Sequence, residues 1–567
     1  IEDLLFLIAD QLNRGGMCIV EDRRRTALAK LNLRAGKKAM SEATFLRSAS
    51  YFEAGIGMLC GDHWEEYYDL SLRLHSLFAE VQYCNGCFEI VGEITTIVLN
   101  HAKTLEDKLP IYNTLLRSLG SQQKVQSAVE IGISVLQKFG FKFPSPNNSD
   151  AVANLLRTKA ILEKMTESEF LSIRKMEDSE KESAMSILVI TAFYTFFVKQ
   201  EYIPILLTLA LQLTLQYGVC DESCIALADC SLTLLLQFKD FNGSKRMADL
   251  AMILLLKLDA KKCIARVFVS LYGGVFAMSN HPKRSLKPLL KGYQEGMFHG
   301  DIGHAFINVN AFLLWCFISG ENLVVLEKDI KLYRNRMTEY KQTSSFEFSA
   351  FIKEAVFKLV HFSGHQTSEA GVLADQKVRV QLRMRENHFV YACYSYIFLG
   401  VVEYIFGNYD LAADMFQKKK DLEKRTSKES GYEGLATFYE CLTCVAMARK
   451  LEKDKWVSQA GTAKSKLDEI AKYGEINYEH RCLLVQAEMF DVEGRSEDAS
   501  NTYDLAIAAA ERNGYFNEQA IANERAGDFY YRNDNNKYCH YYGTAHDLYY
   551  QWGAFGKVEH LYKSTPF

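Results

Sequence analysis

Apolar residues recur every three or four positions along most of this sequence. Leu70, Leu74 and Phe78 follow this spacing in one stretch, and Met247 and Leu254 belong to another. Such a spacing places the side chains on one face of an α-helix, and that face then packs against a neighbouring helix. No stretch combines strict apolar–polar alternation with the short turns of a β-hairpin. The pattern therefore predicts an all-α protein built from amphipathic helices.

Several helix starts carry a signal of their own. A side-chain acceptor is followed three residues later by a carboxylate, and the two satisfy backbone N–H groups that lack a partner at a helix start. The pairs with this spacing are Asp62 with Glu65, Thr104 with Asp107, and Thr166 with Glu169. Proline breaks helix interiors, and only seven prolines occur in 567 residues, which also favours long helices.

Small and aromatic residues form a repeat in the second half of the chain. The clearest copy consists of Tyr396, Leu399, Gly400, Gly407, Tyr409, Ala412 and Phe416. Small residues let two helices approach closely, aromatic residues fill the space between them, and a turn glycine lets the backbone reverse. Gly494 and Gly86 mark the turns of two further copies. The pattern resembles tetratricopeptide helix pairs and predicts an α-α superhelix, a solenoid of antiparallel helix pairs.

These repeats divide the chain into four predicted parts. Residues 1–22 form a helical connector, and residues 23–143 form the first block of tetratricopeptide-like pairs. The proline-containing stretch 143–150 separates this block from a middle section, 144–380, in which the pairs are degenerate and more apolar. Residues 381–567 form the second block of tetratricopeptide-like pairs.

Length, charge and cysteine usage narrow the classes of function. A single core stops growing at roughly 250–300 residues, so a chain of 567 residues needs several domains or an elongated array. The net charge of −4 provides no basic field, so no nucleic-acid partner is expected. Fourteen cysteines are dispersed through apolar stretches, which is typical of a reduced intracellular protein, and we expect a cytoplasmic location.

The most apolar runs are interpreted as buried helices. The run 186–198 is shorter than the ~20 residues of a membrane span, and the run 203–219 contains Gln212 and Gln216. No membrane span is therefore expected. The sequence starts at Ile1 without methionine, and we interpret it as a fragment of a longer protein.

Three stretches resemble one known family. They are IADQLNRG at 8–15 with the residues that follow to 39, the block 241–290 with SLKPLL at its end, and WGAFGKVEHL at 552–561. These stretches are similar to the tetratricopeptide-like helical region of large multidomain signalling ATPases of the AAA/STAND type. In that family a Ser/Thr-kinase-like domain and the ATPase precede this region, and a GAF sensor and a histidine kinase or cyclase often follow it. The resemblance implies a regulatory superhelix.

Motifs for catalysis or cofactor binding are absent from the sequence. It contains no G-x4-G-K-[ST] phosphate loop, no kinase H-R-D or D-F-G set and no H-E-x-x-H metal motif. Cys84 and Cys87 form a C-x-x-C at a turn, and His361 and His365 are spaced for one helix face, but a zinc site needs further ligands. We expect no enzyme activity, cofactor or metal within these residues. Metal or redox use of the two thiols is the alternative to a simple turn.

The first helices of stacked pairs line a concave groove in such solenoids. The residues that the helical register places there mix charged and aromatic side chains, which suits a peptide or a protein domain as partner. They are Arg73, Ser76, Glu80, Tyr83, Tyr394, Tyr404, Arg481 and Glu488. The favoured function is a non-catalytic interaction and regulatory superhelix within a larger signalling ATPase or kinase, whose own domains are candidate partners. A free-standing adaptor or scaffold subunit is the alternative, and an enzyme with an unrecognised site is least favoured.

Overall fold

The structure is a computed structural model, and it is helical almost throughout. Among the residues that it describes there is no β-strand, and one isolated bridge joins Lys175 to Val219. The prediction of an all-α fold is confirmed. The described residues are 4–143, 149–361, 389–426, 433–450 and 453–566.

Helices α1 to α14 cover the first half of the chain. They are α1 (Leu5–Arg14), α2 (Asp22–Ser41), α3 (Phe45–Gly57), α4 (His63–Glu66), α5 (Tyr68–Cys84), α6 (Phe88–His101), α7 (Leu105–Ser121), α8 (Val125–Lys138), α9 (Ser149–Lys164), α10 (Glu167–Ser172), α11 (Ser179–Val198), α12 (Ile203–Tyr217), α13 (Asp221–Phe238) and α14 (Phe241–Leu258).

Helices α15 to α30 cover the second half, and a π-helical segment (Leu271–Val275) joins α15 to α16. They are α15 (Ile264–Ser270), α16 (Phe276–Ser279), α17 (Lys283–His299), α18 (Ile302–Ile318), α19 (Leu323–Glu339), α20 (Thr343–Phe348), α21 (Ala350–Val360), α22 (Phe389–Ile405), α23 (Tyr409–Thr426), α24 (Glu433–Ala448), α25 (Lys453–Ala471), α26 (Glu475–Val492), α27 (Ser496–Asn513), α28 (Phe516–Arg532), α29 (Tyr538–Trp552) and α30 (Phe555–Ser564).

Consecutive helices pack as pairs, and the pairs stack into a superhelical solenoid. The most extensive packing joins α26 to α27, α28 to α29, α13 to α14, and α17 to α18. The first helices of successive pairs also contact each other: α22 contacts α24, and α24 contacts α26. Each pair thus buries its apolar face against the next pair, which is the behaviour expected of a repeat array. The predicted α-α superhelix is confirmed.

The repeat pattern read from the sequence describes one such pair accurately. Gly407 (φ +77°) forms the turn between α22 and α23, where an L-residue would be strained. Gly400 lies against the ring of Phe416, and a Cβ atom at Gly400 would come within 2.8 Å of that ring. Ala412 is fully buried on the same helix face as Phe416. Small residues therefore set the distance between the two helices, as the pattern predicts.

Two of the three predicted helix starts are confirmed. Thr104 and Thr166 both have extended backbone and form reciprocal capping boxes with the carboxylates three residues later. Asp62 makes no capping hydrogen bond, so the prediction is wrong there. Its ψ is 66°, in contrast to 166° and 161° at the two threonines, so Asp62 lacks the extended backbone that is typical of an N-cap residue. The helix that follows Asp62 is only four residues long.

Segments about 200 residues apart in the chain contact each other repeatedly. Hydrogen bonds between such segments link Tyr83 with Gly303, Ser121 with Gln342, Asn477 with Met278, Asn517 with Ile318, and Asn322 with Gln551. Their separations range from 199 to 229 residues. One turn of the superhelix therefore rests on the next, and we call these bonds the inter-turn contacts. The largest apolar cluster extends from Ala29 to Leu561 and includes residues of both turns.

Two described helical stretches are long and apolar enough to cross a membrane by length and composition alone. They are Ser179–Val198 and Lys261–Ser279. Of their apolar windows, 56% and 67% are buried inside the protein, which is the environment of core helices. The predicted break at 143–150 and the end of the His361–His365 pair fall partly outside the described residues. The division into four parts stays a prediction.

Candidate functional site: a cavity where the turns of the superhelix meet

A cavity of about 210 Å³ lies where eleven helices and the π-helical segment converge. Its walls come from both turns of the superhelix: α5, α7, α8, α11, α12, α13, α15 and α16 from the earlier part of the chain, and α18, α20 and α22 from the later part. Its size exceeds the ~150 Å³ of an apolar cavity that accepts benzene. The inter-turn contacts of Tyr83 and Ser121 border it directly. The cavity is therefore part of the junction between the turns.

A buried ion pair forms one polar wall of the cavity. Arg266 donates from one terminal nitrogen to Asp229, and from the other to the Ser270 hydroxyl at 3.2 Å. Ser270 in turn donates to the second Asp229 oxygen at 2.7 Å. Burial raises the pKa of Asp229, and Arg266 opposes that shift. The Arg266 guanidinium also lies over the Phe193 ring, 4.4 Å from its centroid. Both oxygens of this carboxylate thus accept a hydrogen bond within the protein.

A second carboxylate is held by a histidine. His304 Nδ1 lies 2.8 and 2.9 Å from the two oxygens of Asp301. Burial lowers the pKa of His304, and Asp301 opposes this shift only in part. Burial would raise the pKa of Asp301, but His304 and Arg117 outweigh it and lower that pKa. A neutral His304 that donates from Nδ1 to ionised Asp301 satisfies both directions, and it leaves the buried Nε2 atom without a partner.

Arg117 on α7 is the cation of the cavity that the protein leaves unpaired. Within the described ranges, no residue forms a hydrogen bond or an ion pair with its guanidinium, and its buried Nε atom has no partner. Burial would lower its pKa, but Asp301, Tyr83 and Glu80 outweigh this from beyond contact distance and raise it. Arg117 is therefore charged, and its N–H donors are available to a hydrogen-bond acceptor of a bound ligand.

Aromatic side chains line the cavity beside these charged groups. Phe193 contacts His304 and Phe197 edge-on, at 4.8 and 5.3 Å between ring centroids. Phe348 packs edge-on against Tyr391 and Tyr394, at 5.4 and 5.3 Å. Rings in this arrangement present edges and faces that suit a further flat, apolar group. The cavity therefore combines an apolar aromatic body with a charged end.

His304, the histidine that lines the cavity, is bonded to a carboxylate, and no cavity serine or cysteine is within hydrogen-bond reach of either ring nitrogen among the described residues. A nucleophile activated by a base requires that contact. In the same part of the chain, no group of three or more His, Cys, Asp or Glu residues could hold a metal ion.

The structure separates the eight residues predicted for a protein-binding concave face. Arg73 is exposed and Ser76 and Glu80 are partly buried, whereas the other five are buried. That these residues form a protein-binding face stays a prediction. Tyr83 and Tyr394 line the cavity. The buried members are Tyr83, Tyr394, Tyr404, Arg481 and Glu488.

The buried charges among them have partners inside the second block. Arg481 forms two hydrogen bonds with Glu518, at 2.8 and 2.7 Å. Glu488 accepts from Arg449 and from Tyr503, both at 2.6 Å. Because the first helices of successive pairs pack on each other, the face that register makes concave is covered by the next pair. The charges of Arg481 and Glu488 are therefore paired inside the protein.

The cavity residues that carry charge are those that sequence analysis missed. Asp229, Arg266 and Asp301 matched no motif, although each is a charged residue beside long apolar helices. A charge within a strongly apolar helix is costly unless it is paired, so isolated charges such as Asp229 and Arg266 were the available signal. Arg117 carries no such signal, because α7 has ordinary amphipathic character.

Comparisons with known proteins point to signalling. No protein-family model matches the chain. It is 20% identical over 385 residues, or 63% of its length, to a protein of Dictyostelium discoideum described as hybrid signal transduction histidine kinase G. The chain spans 11% of the length of that relative. The similarity therefore concerns a small part of a much longer signalling protein.

Proposed function

We propose that this chain is a non-catalytic regulatory superhelix of a larger signalling protein, a histidine kinase or a kinase-linked ATPase, and that it acts by changing how its turns pack. Its similarity to part of a signalling kinase supports a role in signal transduction. The tetratricopeptide-like repeats support a module that contacts other protein domains, including catalytic domains of the same protein. Its own residues contribute no catalytic step in this proposal.

The inter-turn contacts are the observation that carries the proposal. They are individual hydrogen bonds between segments that are distant in the chain. Asn477, for example, donates to the carbonyl oxygens of Met278 and Asn280, both at 3.0 Å. Each such bond contributes only about 0.5–1.5 kcal/mol net, since water can replace either partner. Two packed arrangements of the turns that differ by a few kcal/mol can then be interchanged by a partner or ligand that binds one of them better.

A glycine pair in the chain offers a matched test. Gly320 (φ +75°) faces Asn517 across the turns, and a Cβ atom there would lie 2.6 Å from the side-chain oxygen. Gly407 has nearly the same φ, +77°, but its Cβ would meet no atom within 4 Å. Alanine at either position imposes similar backbone strain, and only Gly320→Ala also pushes on an inter-turn contact.

The experiment compares both variants in the intact signalling protein that carries this chain. Its phosphoryl-transfer output, measured as autophosphorylation rate, is expected to change in Gly320→Ala and to stay near wild type in Gly407→Ala. Equal rates in all three proteins, or equal changes in both variants, would contradict regulation through the turns. Circular dichroism of each variant confirms that the helices are retained.

A further inference from the structure

The cavity is too large to be an ordinary packing defect. Protein interiors are as densely packed as organic crystals, and voids much larger than one water molecule are few. At about 210 Å³, this space corresponds to roughly seven water molecules at ~30 Å³ each. A ring the size of benzene fits into less. The volume therefore admits one ring and a small polar substituent.

The charges in the cavity select the kind of substituent. Both carboxylates are already hydrogen-bonded to other side chains, Asp229 to Arg266 and Asp301 to His304. A ligand cation would have to displace one of those partners. Among the charged side chains described around the cavity, Arg117 alone has neither a hydrogen bond nor an ion pair, and a planar guanidinium binds a carboxylate through two parallel hydrogen bonds.

Unpaired buried atoms lie in the same place. Besides Arg117 Nε, the side-chain oxygen of Asn310 and the Nε2 atom of His304 have no hydrogen-bond partner, and all three residues line the cavity. Buried polar atoms are usually paired, and each exception calls for an explanation such as a bound molecule. Such atoms gathered around one space, with aromatic rings beside them, indicate a site for a molecule that is polar at one end. Of the three atoms, Arg117 Nε is the donor that an anion can use, whereas the Asn310 oxygen and Nε2 of neutral His304 are acceptors.

We propose that this cavity binds a small aromatic carboxylate, a single ring that carries one carboxylate group. The carboxylate pairs with Arg117, and the ring lies among Phe193, Phe348 and Tyr394. This deepens the proposed function, on which it rests for its regulatory meaning, because the ligand would touch α7 of one turn and α18 and α20 of the next. Binding then stabilises the arrangement in which these helices enclose the cavity.

Benzoate is the probe, and the full 567-residue chain is the protein. Isothermal titration calorimetry measures benzoate against benzamide, which has nearly the same shape and no charge. We expect benzoate to bind about tenfold or more tightly than benzamide, since a charge-assisted pair is worth more than a neutral hydrogen bond. Equal affinities, or no binding of benzoate, would overturn the proposal.

Three variants locate the binding. Arg117→Met keeps the length of the side chain and removes the guanidinium, so benzoate affinity should fall about tenfold or more while benzamide affinity stays the same. Arg117→Lys keeps the charge but lacks the planar guanidinium. Its benzoate affinity should therefore lie between those of wild type and Arg117→Met. Arg73→Met removes an exposed arginine from α5 and serves as the control with unchanged affinity.

The outcomes separate this inference from the proposed function. If Arg117→Met binds benzoate as wild type does, the site lies elsewhere and the inference is wrong. If Arg117→Met does not fold, Arg117→Lys decides, because it retains the buried charge. The test measures binding to the chain alone, so it does not depend on signalling output. The Gly320→Ala comparison measures output without the ligand, and each proposal can therefore fail independently.

Discussion

Glu518 should control the stability of the second block through a buried charge cluster. It accepts two hydrogen bonds from Arg481 and one from His480, and all three side chains are almost completely buried. The substitution Glu518→Gln preserves shape and removes the negative charge. Arg481 then remains buried without a counter-ion, and removal of one partner of such a pair costs about 3–5 kcal/mol. We expect a loss of that size at pH 7.

The pKa of Glu518 gives an independent magnitude. Burial opposes its ionisation, but Arg481 and His480 outweigh this effect and lower the pKa from 4.5 to about 2. A pKa that is lower in the folded state stabilises the fold above the unfolded-state pKa, and this contribution is lost as pH falls from about 4.5 towards 2. The shift corresponds to roughly 3 kcal/mol at 1.36 kcal/mol per pH unit.

Hydrogen exchange of amides in α26 to α28, followed between pH 7 and pH 3, is the suitable assay. It reports the local opening free energy without requiring that the whole superhelix unfold in one step. Wild type should lose stability below pH 4.5 more steeply than Glu518→Gln. Glu524 also has its pKa lowered to about 2, and it titrates in both proteins, so the difference between them isolates Glu518.

The control is Glu479→Gln on α26, the helix that carries Arg481. Glu479 pairs with Arg512 at 2.6 Å, but the two side chains are 33% and 59% exposed, so the change should cost at most about 1 kcal/mol. Parallel pH profiles for wild type and Glu518→Gln would refute the reasoning. A loss at pH 7 no larger than that of Glu479→Gln would refute it as well.

Two further predictions concern helix packing and helix starts. Gly400→Ala forces a methyl group against the Phe416 ring and should destabilise the chain by about 1–3 kcal/mol, whereas Gly461→Ala, where the methyl meets nothing within 4 Å, should stabilise it by about 0.5–1 kcal/mol. Urea titration monitored by circular dichroism checks both, and equal effects would contradict the packing argument. Thr166→Ala removes the capping bond to the Glu169 N–H and should cost about 1 kcal/mol. Amide hydrogen exchange at the start of α10 measures this loss of stability. Unchanged exchange would show that the capping box of Thr166 and Glu169 contributes nothing.

Local packing rules were sufficient to predict the helix pairs. The Gly400–Phe416 contact and the turn at Gly407 depend on residues within about twenty positions, so the sequence pattern contains them. Thr104 and Thr166 likewise act on the next three residues. The prediction at Asp62 was wrong, and the backbone there is not extended, which the sequence does not display.

The candidate site could not be predicted in the same way. Its charged residues lie on α7, α13, α15 and α18, and Arg117 on α7 comes near Asp301 only because one turn of the superhelix rests on the next. Arg481 and Glu488, which register alone placed on an open concave face, are buried and paired with residues of neighbouring helix pairs. Helical register fixes which side of a helix a residue occupies, but not whether another turn of the chain covers that side.

The spacing of the inter-turn contacts has a consequence for how such a chain can evolve. An open repeat array can gain or lose a helix pair, because each pair touches only its neighbours. Here Asn477 and Asn517 find partners 199 residues back along the chain. Deletion of one helix pair, roughly 40 residues, from the segment between two such contact partners would place every later residue opposite the wrong helix pair of the preceding turn. Sequence length should therefore vary freely in the loops, while the number of pairs between two touching layers is held constant, much as register is held in a β-sheet.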